Sequence, residues 1–215
     1  MFTIYGYNTF NPEKAMLAAE ELGIDYRYVK VELGRQEHKS PEHLARHPLG
    51  KVPVLEHDGN FIIESAAISR YLSRLHDHRL YATDPLQAAH IDGVMDMLIC
   101  HVGPQAGTHF WQEVIRPGFF KEPTDTAMVD GAKLLLGSVL PALDAFLSDT
   151  EFLCGDEVTL ADTTAFPYFR VQESTSMDIS EYPHLTRWYK AFAARPSVQR
   201  LLDKLASQPT LLPSA

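Results

Sequence analysis

The sequence predicts an α/β N-terminal domain built on a small mixed sheet, followed by an all-α C-terminal domain. Two observations carry this prediction. Residues 1–75 mix short β-type runs with two helical patterns, whereas residues 85–205 read as helices almost throughout. Between them, residues 76–85 (HDHRLYATDP) are polar, turn-rich and without helical period, which marks a linker. The expected domains are therefore 1–80 and 86–215.

Each element has its own signal. Phe2 to Tyr5 is strand-like. Asn11-Pro12-Glu13 marks a helix start, with a cap oxygen, a proline and an acid in succession. Ala15, Ala18, Ala19 and Leu22 then share one face, and Gly23 supplies the left-handed stop. Tyr26 to Val31 is aromatic and β-branched, as a second strand would be. After an irregular stretch, Val52 to Leu55 and Phe61 to Ile63 flank the hairpin signal Asp58-Gly59-Asn60. Glu64-Ser65 opens a helix in which Ile68, Tyr71, Leu72 and Leu75 fit the helical period. The order β-α-β and then β-β-α requires one parallel pair and adds an antiparallel one. In the second half, Leu86 to about Gly118 reads as a long helix kinked near Gly103-Pro104. Ala127 to Leu147 reads as another, with Pro141 marking a kink or break. Thr159 with Asp162 resembles a capping box, and Tyr182 to Ala194 and Pro196 to Leu205 add two short helices.

Composition narrows the function. Cys100 and Cys154 lie far apart, which argues against a disulfide scaffold, a zinc site and a dithiol redox motif together. Residues 1–80 carry 10 Lys and Arg against 11 Asp and Glu, whereas the remainder carries 9 against 17. So acidic a second half repels phosphate backbones, and no nucleic-acid partner is expected. No uninterrupted apolar run reaches the ~18 residues of a membrane span. A strand-like start leaves no room for a signal peptide, so no membrane association and a cytoplasmic location are expected. His43 and His47 are spaced i, i+4 like zinc ligands, but no third ligand is evident; they read as surface residues, and no metal is expected.

Five blocks stand in a recognisable order. They are Tyr5-Gly6, Glu37-His38-Lys39-Ser40-Pro41-Glu42-His43-Leu44, Gly50-Lys51-Val52-Pro53-Val54-Leu55, Glu64-Ser65-Ala66-Ala67-Ile68 and Gly155-Asp156-Glu157-Val158-Thr159-Leu160-Ala161-Asp162. With them the chain resembles the cytosolic glutathione transferases over nearly its whole length. The resemblance implies a thioredoxin-like, glutathione-binding first domain, a helical acceptor-site second domain, and a homodimer. It also implies a cis Pro53, with Val52 pairing to the cysteinyl backbone of glutathione. Glu64 and Ser65 would hold the γ-glutamyl end at a helix N-terminus, where orphan N–H groups favour an anion. His38 and Lys39, in a phi-like block, and Lys51 would meet the glycyl carboxylate.

The implied chemistry needs a thiolate, whereas a free thiol titrates near ~8.5. A donor to sulfur is therefore expected just before the first helix. No cysteine and no serine lies there, which departs from both the omega and the phi patterns and leaves Tyr5, Tyr7, Thr9 and Asn11. Thr9-Phe10-Asn11 resembles the Thr-x-Asn of nu-class relatives. Thr9 is taken as the donor, Asn11 as its assistant and Tyr7 as the tyrosine alternative; Asn11 also suits a plain N-cap. Tyr5, at a strand end, can point into the core. Phe10, His109 and Phe110 are candidates for the acceptor pocket, while core packing is expected for most of Phe110, Trp111, Phe119 and Phe120. The expected activity is attack of the glutathione thiolate on a small electrophile or a glutathione disulfide, with glutathione as cosubstrate and no resident cofactor. A non-catalytic binding protein of the same fold is the alternative.

Overall fold

The computed structural model describes residues 1–207. They fall into two compact units, the first comprising 1–82 and the segment from Arg195 onward, the second 83–194.

Unit 1 holds a four-stranded sheet of β1 (Phe2–Gly6), β2 (Tyr26–Lys30), β3 (Val54–His57) and β4 (Asn60–Ile63), in the order β2-β1-β3-β4. β1 and β2 are parallel, and the other two pairings are antiparallel. This is the mixed sheet that the element order required. Helices α1 (Phe10–Leu22) and α3 (Ser65–Arg74) are the two expected ones, while α2 (Pro41–Arg46) lies in the stretch read as irregular. α1 and α3 bury Ala15, Leu17, Ala18, Ile68 and Leu72, and Gly23 ends α1 in the left-handed region. Tyr5 points into a small core with Val31 and Val54.

The C-terminal helix α9 (Pro196–Ala206) packs on α1 of this unit, although the sequence had assigned it to the helical half. Charge explains the placement. Glu20 and Glu21, nearly buried on α1, bind Arg200 and Lys204, and Arg195 and Ser197, respectively. The expected linker is also drawn in, since Ser73 Oγ donates to Arg79 O and the Arg79 guanidinium donates to Leu22 O.

Unit 2 is helical. α4 (Pro85–Met97), α5 (Gly103–Phe110) and two π-helical segments, Leu98–Val102 and Trp111–Phe120, form one continuous run. Pro104 lacks the N–H that an α ladder would use, and the change of register lies immediately before it. α6 (Thr126–Phe146) runs through Pro141 without a break and is long and apolar enough, by length and composition, to cross a membrane. Its buried residues Val129, Ala132, Leu136, Leu140 and Leu143 recur at the spacing of a core helix. α7 (Leu160–Phe169) and α8 (Pro183–Ala193) bring Phe166, Phe169, Trp188 and Phe192 together. The Asp162 carboxylate closes the capping box by accepting from Thr159 N, and also accepts from Leu153 N and Trp188 Nε1. Its burial raises its pKa against those donors.

Candidate active site

The register of the sheet decides where the candidate residues meet. Val29, Tyr5, Val54 and Ile63 form one row across the four strands. The chain leaves β1 just after this row, enters β3 just before it and leaves β4 just after it. Residues 7–9, 52–53 and 64–65 therefore converge at one end of the sheet, on strands spaced ~4.8 Å apart. The Val52–Pro53 peptide is cis.

Two helices begin at this end. α1 starts at Phe10, two residues earlier than expected, so Thr9 is the N-cap and Asn11 lies inside the first turn. The Thr9 side chain makes no capping bond, and its N–H donates to Tyr7 O at 2.7 Å. Gly6 permits this start, because a Cβ there would lie 2.9 Å from Pro12 Cβ and 3.0 Å from the Tyr28 ring. Tyr7 is buried, with the Lys30 ammonium 5.3 Å from its ring centroid. α3 starts at Ser65, and Glu64 at its N-cap has φ 68°, ψ 117°. A non-glycine residue held there costs on the order of 1–3 kcal/mol, an expense found mostly at functional positions.

The cationic residues are assembled by a clasped turn. Gly50 has φ 58°, and a Cβ on it would meet His38 O at 2.4 Å. That close approach sets Lys51 beside the 3-10 turn Glu37–Lys39, which carries His38 and Lys39. His43 Nε2–H donates to Lys51 O at 2.8 Å, Leu49 N donates to His47 Nδ1 at 3.2 Å, and Lys39 Nζ donates to Leu49 O at 3.0 Å. His43 and His47, read as surface residues, are in fact 1% and 2% exposed, because the turn lies over them. Among the described residues no group of three possible ligands is placed to hold a metal ion. Burial, reinforced by Lys39, His43 and Lys51, lowers the pKa of His38, so it can meet an anion as a neutral N–H donor. Its Nδ1 is buried without a hydrogen-bond partner among the described residues.

Two side chains important to this end of the sheet escaped the sequence reading. Lys14 on α1 is almost wholly buried, and burial lowers its pKa to about 7 against the pull of Glu64. Asn8, next to Thr9, donates to Leu205 O and accepts from Tyr28 OH, both at 3.4 Å. No periodicity could flag either residue.

The acceptor candidates fare differently. Phe10 is the first residue of α1 and is half-buried. His109 is 0% exposed, its Nδ1 is 2.8 Å from Glu113 Oε2, and Glu113 also accepts from Ser176 N. A side chain without exposed surface cannot line a pocket, so His109 is removed from the set. Phe110 is half-buried. Core packing was expected for most of Phe110, Trp111, Phe119 and Phe120, yet Trp111, Phe119 and Phe120 are exposed, with the Phe120 ring against both Trp111 and Phe119.

Comparison with known proteins agrees with the architecture. Residues 1–74 match the glutathione S-transferase N-terminal domain, and residues 94–196 match the C-terminal domain of the same family. A probable glutathione S-transferase of rice (Oryza sativa subsp. japonica), GSTF1, is 32% identical over 205 residues, covering 92% of this chain and 93% of its own. The crystal structure of glutathione transferase F2 from Populus trichocarpa superposes with a TM-score of 0.90 at 25% identity, over 97% of this chain and 100% of that one. Glutathione S-transferase I from maize, solved in complex with an atrazine glutathione conjugate, gives a TM-score of 0.88 at 29% identity, over 97% and 99%. The fold and the two-domain match define a cytosolic glutathione transferase. This chain belongs to that family of transferases, with its thioredoxin-like N-terminal fold.

Proposed function

We propose that the chain binds glutathione at the shared end of its sheet and activates the thiol through the Thr9 hydroxyl. The observation that carries this reading is Thr9 itself, at the head of α1 with a hydroxyl that makes no capping bond. A donor and a helix N-terminus directed at one sulfur both favour the thiolate. Asn11, in the first turn, assists; Tyr7 is less suited because it is buried. His38, Lys39 and Lys51 receive the glycyl carboxylate, Val52 and Pro53 the cysteinyl backbone, and Glu64 and Ser65 the γ-glutamyl end. The convergence imposed by the register supports this division.

Residues 1–80 thus serve glutathione, and the helical part from residue 86 serves the acceptor, with Phe110 as lining. The acceptor is a small electrophile, by analogy with the conjugate held by the maize relative, or a glutathione disulfide. The chain works in the cytoplasm as a homodimer, a reading supported by the exposed Met128, Leu134, Leu135 and Phe146 on α6. The deciding experiment is a thiolate absorbance titration of bound glutathione. The thiol should ionise well below its free value of ~8.5. If it titrates like free glutathione, the chain is a glutathione carrier and the catalytic reading fails.

A further inference from the structure

The residue before Thr9 connects the active-site loop to the far end of the chain. Asn8 spends both ends of its amide: Nδ2 donates to Leu205 O in the last turn of α9, and Oδ1 accepts from Tyr28 OH on β2. Carbonyls in the last turn of a helix lack intrahelical partners and carry the negative end of its dipole, so a donor is well placed there.

α9 itself is firmly held. Glu20 Oε1 accepts from Lys204 Nζ at 2.7 Å and from Tyr26 OH at 3.0 Å, while Glu20 Oε2 accepts from Arg200 Nε at 2.9 Å. Arg200 also donates to Glu20 O at 2.8 Å, at the C-terminal end of α1. Glu21 takes two bonds from Arg195, at 2.6 and 2.9 Å, and one from Ser197. The Lys204 ammonium lies 3.9 Å from the Tyr26 ring centroid. Bidentate and partly buried pairs of this kind are the ones that hold geometry.

We infer that α9 is a strut for the active-site loop and that Asn8 is a positioning residue: through its bond to the last turn of α9 it fixes where the Thr9 hydroxyl points. The inference rests on Thr9 being the donor to sulfur. A hydroxyl on a loop of three residues between β1 and α1 has few restraints of its own, and a displacement of about 1 Å at such a group can cost roughly 10²-fold in rate. The latch of five charged residues, Glu20 and Glu21 on α1 with Arg195, Arg200 and Lys204 on α9 and its N-cap, supplies the missing restraint from outside the loop.

The test compares two variants of the full chain, Asn8→Asp, which replaces the donor by an acceptor facing Leu205 O, and Lys204→Met, which loosens the latch without touching the loop. Asn8→Asp should lower kcat roughly 10- to 100-fold, leave the KM for glutathione within about threefold, and raise the pKa of the bound thiol. Lys204→Met should move kcat and thiol pKa in the same direction by less, which keeps the test decisive if Asn8→Asp folds poorly. In a Thr9→Ala background neither substitution should add to the loss. Lowered Tm with unchanged kcat and thiol pKa in both variants overturns the strut, as does full additivity with Thr9→Ala. If Thr9→Ala alone leaves the thiol pKa unchanged while Asn8→Asp shifts it, the strut stands and the assignment of the donor to Thr9 falls.

Discussion

In the proposed mechanism Thr9 combines two tasks that normally exclude one another. A threonine at an N-cap ordinarily spends its hydroxyl on the helix, yet here the hydroxyl makes no such bond while the backbone alone turns the chain into α1. Thr9→Ala should therefore cost little stability and much rate. Steady-state kinetics with an aryl halide should show kcat lower by roughly 10²-fold, with glutathione KM nearly unchanged. Asp162 presents the opposite case, a residue wholly committed to structure. Asp162→Ala leaves the donors of Leu153, Thr159 and Trp188 buried and unmatched, and denaturant unfolding should register a loss of about 3 kcal/mol or more. For the thiol donor, elimination over residues 5–11 leaves Tyr5, Tyr7, Thr9 and Asn11, and only the resemblance of Thr9-Phe10-Asn11 to the nu-class triplet selects Thr9. Asp162 could be read from the threonine three places earlier. The buried states of His43 and His47 could not, because an i, i+4 spacing says that two residues share a face and not what lies over that face. Only the turn at 47–51, with Gly50 at φ 58°, decides that.

Among the elements, α9 departs most from what periodicity suggested. Its apolar stripe is plain in the sequence, but a stripe names no partner; the partner is set by an acidic pair on α1 180 residues or so away. That pair also makes the latch sensitive to acid. Burial works against ionisation of Glu20, but bonds from Lys204, Arg200 and Tyr26 outweigh it, and Arg195 and Ser197 do the same for Glu21, so both pKa values are lowered. A depressed carboxylate contributes stability that is complete above its unfolded pKa and disappears as pH falls through the folded one. Thermal melts from pH 6 downward should therefore show Tm falling below about pH 4.5, and a Glu20→Gln, Glu21→Gln chain should lose part of that slope. An equal slope in the variant would mean that other carboxylates dominate acid unfolding. The continuous helical run of α4 and α5 was legible, as was its interruption near Gly103-Pro104; that the interruption is a π turn was not, since a change of hydrogen-bond register leaves no mark in side-chain pattern.

At the scale of the molecule, the order of strands and helices was legible because a parallel pair followed by a hairpin admits few topologies. The candidate site was legible only as a set of blocks, and the sheet register explains why blocks so far apart in sequence meet. Association is a separate question, and α6 addresses it. Leu134 is 78% exposed beside the exposed Leu135, a pairing that a solvated helix has no reason to keep. Leu134→Glu should convert a dimer into a monomer in sedimentation velocity while leaving the far-ultraviolet spectrum unchanged; a persistent dimer would move the interface elsewhere.

The packing of α9 on α1 has a further consequence for how the chain comes into being. During synthesis the first eighty residues emerge well before Arg195, Arg200 and Lys204 exist to meet Glu20 and Glu21, and the helical unit is made in between. Domains ordinarily fold as they appear, N-terminal first. Here the N-terminal unit lacks one of its own helices until residues 195–207 are translated, so its completion comes after synthesis of the helical unit rather than before it. A fragment ending at Ala82 should accordingly show no cooperative melting transition, and supplying residues 195–207 as a separate peptide should restore one.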